Sequence, residues 1–77
     1  MKKVINARII VKPASIEQFL ALAKTMVEKS NSEHGCLIYK LYQEVENPQS
    51  FLFYEVYENQ DAVDIHNSSP YWKKQSN

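Results

Sequence analysis

The segment Phe51-Leu52-Phe53-Tyr54-Glu55-Val56-Tyr57 limits the fold of this chain more than any other. It reads as a strand, and in a strand alternate residues point to opposite faces. Phe51, Phe53 and Tyr57 then share one face, and Leu52, Tyr54 and Val56 share the other. Both faces are apolar or aromatic, yet helices on one side of a sheet cover only one of them. The second face is therefore expected to meet another copy of the chain, because a contiguous exposed apolar surface marks an interaction site.

The remaining segments supply partners for that strand. Val4 to Val11 is rich in β-branched residues and reads as strand one. Its odd positions, Ile5, Ala7, Ile9 and Val11, form an apolar face, while Asn6 and Arg8 share the other face with Val4 and Ile10. Lys12-Pro13 ends it. Ser15 is then placed as a helix N-cap, with Gln18 at the capping-box position. Ile16, Phe19, Leu20, Ala23, Met26 and Val27 recur at helical spacing. The run Asn31 to Gly35 breaks the helix, and Gly35 can take a positive φ. Strand two is expected from about Leu37 to Val45, a turn at Glu46-Asn47-Pro48-Gln49, strand three from Ser50 to Tyr57, and a second helix from Gln60 to Asn67. Ser69-Pro70 interrupts that helix, and Tyr71 to Gln75 is expected to add one more turn. The order β-α-β-β-α is a ferredoxin-like order without its last strand. The fold class is α+β, an antiparallel sheet with helices on one face, in a single domain spanning residues 1–77.

A chain of 77 residues is marginal alone, since a domain of this size buries only about 60% of its extended-chain surface. Its single cysteine makes no internal disulfide, so oligomerisation is the expected remedy. Cys36 itself reads as a small buried hydrophobe at a strand start, with a reactive thiol as the alternative. Nine basic and nine acidic residues cancel, and no basic patch interleaves with aromatics, which argues against nucleic acid as a partner. No apolar run reaches eighteen residues, and the N-terminus lacks a signal-peptide core, so a cytoplasmic protein is the simplest expectation. There is no nucleophile elbow, phosphate loop, cysteine pair or dinucleotide fingerprint. Two separated histidines without matching carboxylates do not make a metal site. No cofactor and no metal are expected.

A few residues carry possible chemistry. His66 closes the second helix, where it is either a cap or surface contact favoured by the helix dipole, or a pocket-lining hydrogen-bond donor or proton shuttle. His34 sits in a loop and has no partner in view. Glu55, inside an aromatic strand, needs a partner; Arg8 or Lys40 on neighbouring strands is the candidate, making Glu55 an ion-pair member or a site base. Asn6 and Arg8 offer a neutral donor-acceptor and a fixed cation if their face lines a cavity, and are interface polar groups otherwise. Tyr39, Tyr42, Tyr54, Tyr57, Tyr71 and Trp72 are mostly core or interface, with a minority left to wall a pocket for a flat substrate.

These pieces together resemble the antibiotic biosynthesis monooxygenase (ABM) domains from Val4 to Trp72. The likeness rests on Val11-Lys12-Pro13, Gly35-Cys36-Leu37, Phe53-Tyr54-Glu55-Val56-Tyr57, Ala62, His66 and Ser69-Pro70-Tyr71-Trp72. The resemblance implies a homodimer whose sheets pack face to face as a dimeric α+β barrel. It implies a cofactor-independent monooxygenase that acts on a small quinol-like or phenolic substrate with O₂. In that reading His66, Asn6 and Arg8 are the catalytic candidates. Tyr54, Glu55, Tyr57, Tyr71 and Trp72 are the substrate-binding ones. Haem-degrading relatives carry a Trp where Tyr57 stands and a late His, and no His follows Trp72 here, which argues against haem degradation. The family usually continues into a final strand that this sequence does not include, so strand one is expected to have an open edge, from a truncated product or with a partner chain covering it. That departure supports the alternative, a non-catalytic dimeric domain that binds a small ligand or serves a structural role.

Overall fold

The strand with two apolar faces lies at the centre of the sheet. The computed structural model describes residues 1–68. Its elements are β1 (Lys3–Ile10), α1 (Ile16–Asn31), β2 (Cys36–Gln43), β3 (Ser50–Tyr57) and α2 (Gln60–Asn67). Tyr71, Trp72, the expected extra turn and the question of a last strand lie outside the described residues. The sheet order is β1-β3-β2, with both pairings antiparallel. This α+β arrangement is the expected one, and the strand and helix limits differ from expectation by at most two residues.

The register assigns every side chain to a face. Ile5 and Tyr39 flank Glu55, and Ala7 and Leu41 flank Phe53. These residues, with Phe51 and Tyr57, lie on the side covered by the helices. On the opposite side Val4 and Ile38 flank Val56, Asn6 and Lys40 flank Tyr54, and Arg8 and Tyr42 flank Leu52. A slip of one residue would exchange these two sets, so the hydrophobic pattern specifies the register strongly.

α1 lies against β2. Ala23 and Met26 pack with Tyr39 and Phe53, and Phe19, Val27, Cys36 and Leu41 close the cluster. The Phe19 ring sits 4.8 Å from that of Phe51 and 6.3 Å from that of Phe53. Each large apolar side chain buried here stabilises the fold by about 1.5–3 kcal/mol relative to exposure. Leu20, a member of the helically spaced apolar set, is 42% exposed.

The start of α1 differs from the capping box anticipated. A 3₁₀ turn over Pro13–Ser15 precedes it, and the Ser15 N–H donates to the Lys12 carbonyl at 2.9 Å. Ser15 thus has near-helical backbone angles and its hydroxyl makes no cap bond. At the other end, the Asn31 amide donates to the carbonyls of Val27 and Tyr39, each at 3.0 Å. One side chain thereby closes the helix and ties it to β2.

Gly35 has φ +89°, and a Cβ added there would meet the Ala62 Cβ at 2.7 Å. The glycine satisfies two needs at once: a left-handed backbone and close contact between the α1–β2 loop and α2. The Glu58 N–H donates to the Gly35 carbonyl at 2.8 Å, a second tie at the same place.

Candidate functional site

α2 begins at Asn59, whose side-chain oxygen accepts from the Ala62 N–H at 3.0 Å. This cap sets the phase of the helix, so that Ala62, Val63 and His66 are its buried residues. Ala62 and Val63 pack on Tyr57, with Ile5 and Cys36 at the margin. His66 is 3% exposed, so the surface-cap reading of this residue gives way to a buried imidazole. Its ring lies between those of Tyr39 and Tyr57, with centroids at 5.3 and 5.6 Å.

Two carboxylates complete the cluster. Glu33 Oε1 is 2.9 Å from His66 Nδ1. The Tyr57 hydroxyl donates to Glu55 Oε1 at 2.6 Å, a short charge-assisted bond between two buried groups. Beside them the Tyr39 hydroxyl donates to the Met26 sulfur at 3.4 Å. Among the described residues, no buried side-chain nitrogen or oxygen lacks a hydrogen-bond partner.

This environment holds the protons on Tyr57 and Cys36. Burial first, then the Glu55 hydrogen bond and charge, drives the Tyr57 phenol upward so that it stays a neutral donor. The Cys36 thiol is pushed up to about 11 by burial, then by Glu33 and Glu55. A thiol so shifted is no thiolate nucleophile at neutral pH, and it packs as the small hydrophobe expected. The cluster therefore keeps Tyr57 as a neutral donor to Glu55 and sets the Glu33 carboxylate against the His66 imidazole. Among the described residues, no group of three or more His, Cys, Asp and Glu is placed to hold a metal ion.

The structure separates the anticipated site residues. His66, Glu55 and Tyr57 come together on the helix side of the sheet. Asn6, Arg8 and Tyr54 lie on the other side, because they occupy the opposite parity of β1 and β3. Arg8 donates to Ser50 Oγ at 3.1 Å and pairs with Glu44 at 3.4 Å. Neither Arg8 nor Lys40 is on the Glu55 side, so the ion pair anticipated for Glu55 is replaced by the Tyr57 hydroxyl. Tyr71 and Trp72 fall outside the described residues. Glu33 was missed from sequence: it sits in the helix-breaking run, 33 residues from its partner, where no periodicity points at it.

Comparison with known proteins agrees with this fold. The chain is 44% identical over 69 residues to the uncharacterized protein sll1783 of Synechocystis, covering 90% of this chain and 47% of that one. It is 31% identical over 70 residues to the Bacillus subtilis protein named "Putative monooxygenase YcnE", covering 91% of this chain and 74% of that one. It thus spans about half the length of the first relative and three quarters of the second. Among solved structures, a conserved protein from Methanosarcina mazei superposes with a TM-score of 0.91 at 31% identity, covering 96% of this chain and 73% of that one. Rv0793 from Mycobacterium tuberculosis gives a TM-score of 0.90 at 25% identity, covering 99% of this chain and 76% of that one. Among the described residues no helix is long and apolar enough to cross a membrane. With the family model matching residues 4–76 across the whole β-α-β-β-α frame, the chain belongs to the antibiotic biosynthesis monooxygenase family.

Proposed function

We propose that the protein is a monooxygenase of a small quinol-like or phenolic substrate, working with O₂ and no other reductant. The observation that carries this reading is the buried imidazole of His66 between two tyrosines, with Glu33 on its Nδ1. For a hydroquinone, O₂ would become one new ring C–O bond and one water, and the product would be the hydroxyquinone. All four electrons come from the substrate. Loss of the hydroxyl proton makes the electron-rich anion that reduces O₂. The protein contributes orientation and a water-poor environment, which strengthens its hydrogen bonds to the developing charge. His66 would take the proton, with the Tyr57 ring packed beside the imidazole.

The same reading makes the protein a homodimer through the uncovered sheet face. Val4 and Ile10 are each 59% exposed there and Tyr42 is 50% exposed. A second copy would cover them, sheet to sheet. Sedimentation at micromolar concentration should give about twice the chain mass, and a monomer would remove this part of the proposal.

O₂ uptake with a panel of hydroquinones, in metal-free and flavin-free buffer, tests the chemistry. Uptake above autoxidation, lost in His66→Ala and His66→Gln but kept in His34→Ala, is the expected result. Equal rates in all four proteins would end it. One observation favours a second reading, a non-catalytic ligand-binding or structural domain: among the described residues no buried side-chain nitrogen or oxygen is left without a hydrogen-bond partner to offer a substrate. In that case phenols would raise the melting temperature without O₂ uptake, or leave both unchanged.

A further inference from the structure

We propose that Glu33 is a positioning residue for His66, an inference that rests on the proposed oxygenase reading of this cluster. The two side chains are 14% and 4% exposed, and Glu33 Oε1 lies 2.9 Å from Nδ1. A carboxylate there makes Nδ1 the protonated nitrogen and fixes the plane of the ring. The pair is not the sole tie in this region, between the loop and the end of β3 with α2. Gly35 already packs its backbone against Ala62, and the Gly35 carbonyl accepts from the Glu58 N–H at 2.8 Å. Within the loop, the Glu33 N–H donates to Ser30 and the Glu33 carbonyl accepts from Cys36, at 3.1 and 3.2 Å. These backbone bonds hold Glu33 in the loop, and its carboxylate meets the imidazole.

The chemical step it serves balances simply. The substrate O–H bond breaks, its proton passes to the His66 ring, and its electron pair stays on the substrate oxygen. The imidazolium then lies beside the Glu33 carboxylate as a neutral pair. Among the described residues, the titratable groups around this pair include Cys36 and Tyr39 from β2, Glu55 and Tyr57 from β3, and Lys3 of β1, which lies directly opposite Tyr57. Tyr57 and Glu55 are engaged with each other, which leaves Glu33 as the carboxylate bonded to the ring.

The experiment combines nitrogen NMR of the His66 ring with steady-state kinetics on the full chain. The wild type should show the Nδ1–H tautomer. Glu33→Ala should shift the ring toward Nε2–H and lower kcat by roughly 10–100-fold, with KM changed by less than about threefold. Glu33→Gln, whose amide oxygen can still accept from Nδ1, should keep the tautomer and recover part of kcat. It also carries the comparison if Glu33→Ala does not fold. An unchanged tautomer in Glu33→Ala, or a changed tautomer with unchanged kcat, overturns the inference. Wild-type protein without O₂ uptake overturns the reading beneath it, and that result is seen before any substitution is made.

Discussion

The two faces of the sheet use polar residues in opposite ways. On the helix side, Glu55, Tyr57, His66 and Glu33 are buried or nearly so, and their bonds are 2.6 and 2.9 Å long. On the other side, Arg8 and Glu44 meet at 3.4 Å with side chains 66% and 46% exposed. The first set pays for desolvation with short, specific bonds; the second keeps its water and gains little from pairing. The difference teaches where each kind of function belongs. A buried, fully bonded cluster can hold a proton at one atom, whereas an apolar face with solvated charges at its edge suits contact with another chain.

The strongest way to break this comparison is catalytic. His66→Ala should lower O₂-dependent turnover by roughly 10²–10⁴-fold, the usual worth of a positioned acid-base group. If Asn6→Ala or Arg8→Ala had the same effect while His66→Ala did not, the chemistry would lie on the uncovered face. Next comes the core beneath the site. Phe53→Ala should cost about 3–5 kcal/mol in urea unfolding, because it empties the space between Phe19, Tyr39 and Met26.

Tyr57→Phe is a smaller and sharper test. It keeps the ring beside His66 but strips Glu55 of its donor, and should cost about 1–3 kcal/mol. A neutral result would mean that Glu55 finds water, and that the covered face is wetter than its burial suggests. Smaller again is Arg8→Ala, expected at about 0.2–1 kcal/mol for so exposed a pair. A larger loss that depends on protein concentration would show that a second copy buries Arg8, and would sharpen the dimer proposal.

A separate effect is set by pH and is confined to alkaline solution. Cys36 is raised from 9.0 to about 11 in the folded protein, so above pH 9 the unfolded chain releases a proton that the native state retains. Stability is intact below that point and falls as pH rises toward about 11. Chemical-denaturation midpoints on either side of pH 9 should diverge less in Cys36→Ala than in the wild type. Equal divergence would assign the alkaline loss to other groups, Tyr57 first among them.

Much of the fold was legible without coordinates. The limits of β3 and α2 follow from a dense aromatic and apolar run and from a short helical pattern between polar breaks. The left-handed Gly35 was readable too, because only glycine takes that backbone without strain. The start of α1 was less so: Ser15 and Gln18 have the residue types of a capping box, but the 3₁₀ turn from Pro13 supplies the bond through backbone instead. The site was half legible. His66 and Tyr57 stood out, while Glu33 looked like part of a polar break and Glu55 was matched to the wrong neighbours.

The sequence by itself determined the order of elements, the alternation that gives β3 two apolar faces, and the family. These are local or periodic properties, carried by residues one, two, three or four apart. Only the tertiary structure decided that His66 meets Glu33, that Glu55 meets Tyr57, and that Asn6 and Arg8 lie on the far side of the sheet. The physical reason is that strand parity gives each residue a face but not the identity of that face. Packing of α1 and α2 on the side of Phe51, Phe53 and Tyr57 makes that choice, and with it decides which polar groups are drawn out of water and into bonds with one another.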